Sequence, residues 1–197
     1  IVVKGNNSSE IAALKAFLDD KFKIKDLDEQ NYFLGMEVIK VPNGTILTQR
    51  KFALDHLKEF QCDMLPATTC PLGPLSRGSY NEDNFADVTS YTKLVGKLNY
   101  LTNTRPDIAF SVQYLSQFLQ APTVSHWTAA LHTLRYIKRD PTQGLFFNNR
   151  DVYNLEAFCD SDWAQCRCTQ RSVSGYFIMM GGSPISRKSK KQPTVAL

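Results

Sequence analysis

The chain has 197 residues, 43% hydrophobic and 21% charged, enough to bury the core of one large or two small globular domains. No apolar run approaches the roughly 18 residues of a membrane span, and the opening Ile-Val-Val-Lys-Gly is too short for a signal peptide. The chain is therefore expected inside the cell, in cytoplasm or nucleus, with no membrane partner. The net charge of +4 is local: Arg187, Lys188, Lys190 and Lys191 account for the whole excess of 23 basic over 19 acidic residues.

Residues 1–60 read as strand, helix, hairpin, helix. Asn7 with Glu10 has the spacing of a capping box, and Ile11, Leu14, Leu18 and Phe22 then repeat at helical spacing. Tyr32 to Val41 reads as one strand, Pro42-Asn43-Gly44 as a tight turn whose Asn-Gly tolerates positive φ, and Thr45 to Thr48 as the partner strand. Ala53, Leu57 and Phe60 then share a helix face. From Gln61 to Asp87 the proline- and glycine-rich pattern predicts an extended linker and the best domain boundary.

Three helices follow. Tyr91, Leu94, Val95, Leu98 and Leu101 mark the first, and Ile108, Val112, Leu115 and Phe118 the second, which Thr104 can cap with Pro106 and Asp107 in its first turn. The third runs from Ser125 to Arg139 and buries Trp127, Ala130, Leu131, Leu134 and Ile137. Its separate face of Thr128, His132, Arg135 and Arg139 fits either a solvated surface or a helix laid along a phosphate backbone. Lys93, Lys97, Arg105, Arg135, Lys138 and Arg139 face only Asp107 in charge, a second basic zone suited to a polyanion. After Pro141 the pattern turns to β: Gly144 to Asn148, Tyr153 to Asp160, then Val173 to Met180 and Ser183 to Lys188 joined by Gly181-Gly182.

Chemistry has few places to sit. Five cysteines without a CxxC pair and three scattered histidines make neither a disulfide framework nor a zinc site, so free thiols are expected. Asp160 and Asp162 end an apolar strand, and they share a face only while that strand continues. Two carboxylates are too few for a two-metal phosphodiester site, and a bare Asp-x-Asp pair fits a turn or a cap better.

Ordered blocks along the chain resemble the polyprotein of Ty1/copia-type retrotransposons, plant copies above all. They are Lys23-Ile-Lys-Asp-Leu27, Tyr32-Phe-Leu-Gly-Met-Glu-Val38, Leu94-Val-Gly-Lys-Leu-Asn-Tyr-Leu101, Thr104-Arg-Pro-Asp-Ile-Ala-Phe110, His126-Trp127, Leu134-Arg-Tyr-Ile-Lys138, Cys159-Asp-Ser-Asp-Trp-Ala164, Ser172-Val-Ser-Gly-Tyr176 and Ser189-Lys-Lys-Gln192. The resemblance implies an α+β chain with three parts. Residues 1–60 would be the end of a reverse-transcriptase palm, 61–140 a linker with helical thumb and connection, and 141–197 the first strands of a ribonuclease H-like domain. It implies Asp160 as the first catalytic, magnesium-binding aspartate of that nuclease. On charge pattern alone, the helix face with Arg135 and Arg139 and the tail with Lys188, Lys190 and Lys191 are the candidate nucleic-acid contacts. The implied partners are an RNA·DNA hybrid and the rest of the Pol polyprotein. Both ends read as cuts, with the polymerase's metal-binding aspartates expected just before Ile1 and the nuclease's next glutamate just after Leu197. Four positions depart from the family pattern: Gln165 for glycine, Cys168 for aspartate, Gln170 for arginine and Arg187 for tryptophan. This chain alone is expected to be inactive, a fragment of the enzyme or a non-catalytic binding remnant.

Overall fold

The computed structural model describes residue 3 and residues 5–25, 31–73, 83–150, 153–163 and 169–194, and within them the chain is α+β, with α-helices and two antiparallel sheets. Among these residues no helix is long and apolar enough to cross a membrane. The strand expected ahead of the first helix falls largely outside them. Helix α1 (Ser8–Phe22) starts where Asn7 Oδ1 accepts from the backbone N–H groups of Ser9 and Glu10 at 3.1 and 3.3 Å, satisfying two first-turn donors. The reciprocal half of the capping box does not form, because the Glu10 carboxylate accepts from Asn7 Nδ2 instead of the backbone. The apolar stripe of α1 is present by spacing but unburied: Leu14 is 41% and Phe22 70% exposed.

The strand expected over Tyr32–Val41 is two strands. Leu34 (φ 48°) and Gly35 (φ 76°) form a tight turn between β1 (Tyr32–Phe33) and β2 (Met36–Val41), with Phe33 opposite Met36. The next hairpin, to β3 (Gly44–Thr48), turns on Pro42-Asn43, since Val41 pairs with Gly44. Asn43 keeps a negative φ, so the positive-φ Asn-Gly turn is corrected. Gly44 is needed for a different reason: a Cβ there would lie 2.1 Å from the Phe147 carbonyl oxygen. That neighbour belongs to β4 (Leu145–Asn148), which pairs along β3 and completes a four-stranded sheet in the order β1-β2-β3-β4.

Against this sheet sits the helical core. Helix α2 (Arg50–Glu59) buries Ala53 and Leu57, with Phe60 packed against the cluster as its spacing predicts. Helix α3 (Val88–Leu101) is capped by Asp87, and its Tyr91, Leu94, Val95, Leu98 and Leu101 are all buried. The Tyr91 hydroxyl, itself buried, donates to the Leu115 carbonyl at 2.8 Å. Pro106–Ile108 forms a 3-10 turn leading into α4 (Ala109–Leu115). Thr104 does not cap it: the hydroxyl is buried and donates to Gln49 Oε1 at 2.9 Å. Helix α5 (Val124–Arg139) opens on a true capping box that the sequence pattern did not reveal, Thr123 with His126, and buries Ala130, Thr133, Leu134 and Ile137. Trp127 is half-buried, stacked on Phe85 with ring centroids 4.8 Å apart.

Residues 61–73 of the expected linker are not a free tether. Gln61 takes a left-handed turn (φ 54°), Cys62 is fully buried, and the following residues lie along α5. Their carbonyls receive side chains of that helix: Arg135 Nε donates to Pro66 O (2.8 Å), Lys138 Nζ to Asp63 O and Leu65 O (2.6 and 2.7 Å), and Thr133 Oγ1 to Pro71 O (2.8 Å). An extended stretch without its own ladder satisfies its carbonyls this way.

The C-terminal part of the chain forms the second sheet, β5 (Leu155–Asp162), β6 (Val173–Met180) and β7 (Ser183–Lys191), joined in that order. Gly181 and Gly182, both at positive φ (56° and 78°), make the expected two-residue hairpin. The sheet docks on the first through Asn148, whose backbone N–H donates to Ser183 Oγ at 3.0 Å and whose side-chain amide donates to Gly181 O.

Candidate nucleic-acid interface

Most of the basic zone between Val88 and Arg139 is consumed by the fold. Arg105, 3% exposed, forms a two-pronged pair with Asp107 (3.1 and 2.8 Å), donates to Asp140 O and lies over the Tyr136 ring. The Arg105 guanidinium and backbone donors hold the Asp107 carboxyl below the usual range in spite of its burial. Arg135 and Lys138 are tied to the strap at 61–73. Only Arg139 of the α5 residues proposed for phosphate stands exposed without a hydrogen bond or ion pair among the described residues.

Asp160 and Asp162 both lie within β5, because the strand continues to its pairing of Asp162 with Val173. Directly opposed residues share a face, so Asp160, Gly175 and Ser189 form one row and Asp162, Val173 and Lys191 the next on the same side. Lys188 and Lys190 belong to the other face, opposite Tyr176 and Ser174. The tail lysines therefore divide: Lys191 shares the side of Asp160, while Lys188 and Lys190 serve a surface behind it. Lys191 Nζ donates to Gln117 Oε1 at 2.9 Å. Asp160 is exposed, its Oδ1 accepting from the Ser161 N–H at 2.9 Å, and no cluster of three metal-ligating side chains exists among the described residues. Two carboxylates on an exposed edge strand do not make a magnesium site. Cys166, Cys168 and Gln165 lie outside the described residues, whereas Cys62, Cys70 and Cys159 are free thiols as expected.

Arg187 shares the Asp160 face, opposite Phe177, and lines a cleft of about 1090 Å³ whose other walls include Ala109, Val112, Leu145 and Phe147. Burial lowers its pKa, and nearby Asp107, already paired to Arg105, only partly offsets that. A guanidinium half-buried in this mixed polar and apolar wall costs solvation that a tryptophan would not.

The feature that sequence reading overlooked is on α3. Lys93, Gly96, Lys97 and Tyr100, spaced i, i+3, i+4 and i+7, lie along one side of the helix and, with Phe52, Val88, Thr89 and Thr92, line an open groove of about 730 Å³. Gly96 sits in mid-helix, where glycine costs roughly 0.5–1 kcal/mol against alanine, yet a Cβ there would meet nothing within 4 Å. Packing inside the chain does not require it. A lone glycine inside an otherwise strong helical pattern was the available signal.

One edge of the groove is a charged cluster. Glu59 at the end of α2 binds Lys93 Nζ at 2.6 Å and also Lys97 Nζ, and His56 Nδ1 lies 2.8 Å from its Oε2. The lysine hydrogen bonds pull the Glu59 carboxyl down to about 2. Burial lowers the His56 pKa, so the ring is neutral at pH 7; its Nε2 is buried without a partner among the described residues. Tyr100 closes the far end, its hydroxyl donating to Leu34 O of the β1–β2 turn.

No family model and no solved structure matches the chain. The chain is 37% identical over 196 residues to the Retrovirus-related Pol polyprotein from transposon RE1 of Arabidopsis thaliana, covering 99% of this chain and 13% of that protein. It is 31% identical over 208 residues to the Retrovirus-related Pol polyprotein from transposon TNT 1-94 of Nicotiana tabacum, covering 100% of this chain and 16% of that one. An uncharacterized mitochondrial protein of Arabidopsis thaliana is 35% identical over 197 residues, covering 100% of this chain and 82% of that protein. The chain thus spans less than a fifth of the length of the transposon polyproteins it matches.

Proposed function

The chain belongs to the retrovirus-related Pol polyproteins of Ty1/copia-type transposons, and on that premise we propose that it is the segment of such a polyprotein that grips an RNA·DNA hybrid by its backbone, without a complete catalytic centre in its 197 residues. Residues 1–60 then end a reverse-transcriptase palm, 61–140 supply thumb and connection, and 141–197 open a ribonuclease H-like domain. Its partners are the hybrid and the rest of the polyprotein, and its place of work is the cytoplasm or nucleus.

The observation that carries the reading is Gly96 between Lys93 and Lys97 on an open groove. A helix that gives up stability for a missing side chain, where nothing of its own fills the space, is shaped for something outside to approach its backbone closely. Two lysines flanking that spot give the approaching group its sign: an anion, such as the phosphates that dominate contacts to nucleic-acid duplexes. Arg139, and Lys188 with Lys190 on their own sheet face, are further exposed basic residues away from the groove lining.

Gly96→Ala tests this directly. The variant is expected to melt a few degrees higher, since about 0.5–1 kcal/mol of helix propensity is regained in open space. At the same time it binds a labelled RNA·DNA hybrid more weakly. A gain in stability with unchanged hybrid affinity would remove the reason for the glycine and with it the interface.

Magnesium chemistry belongs to the parent family, and the described residues of this chain do not gather ligands for it. The expected result is that hybrid incubated with the chain and Mg2+ stays uncleaved, alike for wild type and Asp160→Asn. Metal-dependent cleavage that disappears in that variant would overturn the incomplete-centre reading. Arg187, half-buried in its cleft, favours a second reading of the same binding role, a remnant of an element whose enzyme has decayed.

A further inference from the structure

Glu59 stands where a carboxylate is disfavoured. It is the last residue of α2, at the negative end of the helix dipole, where neighbouring cations offset the repulsion. Two cations do so, Lys93 Nζ at 2.6 Å from Oε1 and Lys97 Nζ on Oε2, and the neutral His56 ring adds a contact from Nδ1 at 2.8 Å. Lys97 is further held by its approach to the Phe60 ring, 5.8 Å from the centroid. Among the described residues no other carboxylate reaches either lysine. The two oxygens of one anion thus take the two ammonium groups on either side of Gly96, which are the groups a phosphate entering the groove would meet.

We propose that Glu59 is a built-in stand-in for a backbone phosphate, holding Lys93 and Lys97 in place in the free chain and being displaced from them when the hybrid binds. This rests on the hybrid-binding reading above and deepens it. The exchange is carboxylate for phosphate at the same two ammonium groups, with no covalent step. It has two consequences. The lysines are preorganised rather than free to wander, so less side-chain freedom is given up on binding. Affinity is also held below what two unpaired lysines would give, because one of their charges is already neutralised, and weaker anions than a duplex fail to open the cluster.

The test is hybrid binding by the full chain, followed by fluorescence anisotropy of a labelled RNA·DNA duplex over a range of salt. Glu59→Gln, which keeps the shape and one acceptor, is expected to bind about tenfold more tightly at low salt. Its log–log salt slope is expected to be steeper by about 0.9, the contribution of one added positive charge. In a Lys93→Gln/Lys97→Gln background the same substitution is expected to change nothing, which separates action through the lysines from a general effect on α2. Glu59→Ala is read the same way if the glutamine variant folds poorly. Wild-type binding with no gain in either Glu59 variant, or a gain that persists without the lysines, overturns the inference and leaves hybrid binding standing. Absence of binding by wild type and variants alike overturns the hybrid reading itself and the inference with it.

Discussion

Gly144→Ala is expected to destabilise the chain by about 2–4 kcal/mol, among the largest effects of any single methyl group added to it. A Cβ at that position would stand 2.3 Å from the Leu47 carbonyl oxygen and 3.0 Å from its carbonyl carbon. These are backbone atoms of β3, and unlike the end of a flexible side chain they cannot swing aside. Leu47 pairs with Leu145, the next residue along, so relief requires β4 to part from β3. Gly44 at the other end of the same pairing meets the same obstacle from Phe147, so two glycines bracket one ladder. β4 is also the strand through which Asn148 holds the second sheet, and its loss spreads to Ser183 and Gly181. Urea unfolding checks this: the midpoint should fall with little change of slope. An unmoved midpoint would mean that β4 does not pair with β3.

Lys93→Gln with Lys97→Gln is expected to weaken binding to an RNA·DNA hybrid about a hundredfold at low salt, while leaving the melting temperature within a few degrees of wild type. The small effect on stability follows from partial exposure: Lys93, Lys97 and Glu59 are 56%, 22% and 31% exposed at the side chain, and ion pairs open to solvent contribute about 0–1 kcal/mol each. The large effect on affinity follows from position. Each lysine flanks a stretch of helix backbone left bare by a glycine, and a charge withdrawn from a phosphate flattens the salt slope by about 0.9. A comparable change at Arg139 should be smaller, since it stands alone on its exposed surface.

The helical core was legible because its period is strict. Tyr91, Leu94, Val95, Leu98 and Leu101 could only face one way, and all are buried. Turns were less legible. Nothing about Leu34 signals a left-handed φ of 48°, so β1 and β2 read as one strand, and Asn43-Gly44 looked like the turn when Pro42-Asn43 makes it. The α1 spacing was read correctly as helical, but spacing says nothing about whether a partner is present to cover its apolar residues.

Charge was the hardest quantity to read. Arg135 and Lys138 looked like a polyanion surface because their partners are backbone carbonyls of Asp63, Leu65 and Pro66, which any residue supplies and no sequence displays; Arg105 adds such a bond to Asp140 O beside its pair with Asp107. Glu59 finds Lys93 and Lys97 far along the chain, a pairing visible only once α2 and α3 are packed. The tail lysines were grouped because they lie close in sequence, and the two-residue period of β7 splits them between faces. The Asp160 and Asp162 pair, which fitted a turn or a cap better by sequence, lies instead wholly within β5: the strand continues past Asp160, and the two share a face.

The most direct test of the α3 interface is the salt dependence of hybrid binding, measured side by side for wild type and the Lys93→Gln/Lys97→Gln variant. Linear log–log plots are expected, with the variant's slope shallower by about 0.9, the share of the one phosphate that the lysine pair holds, and its affinity lower throughout the low-salt range. Coincident plots for the two proteins would show that the hybrid is held elsewhere, and would contradict a phosphate-binding role for this face of α3.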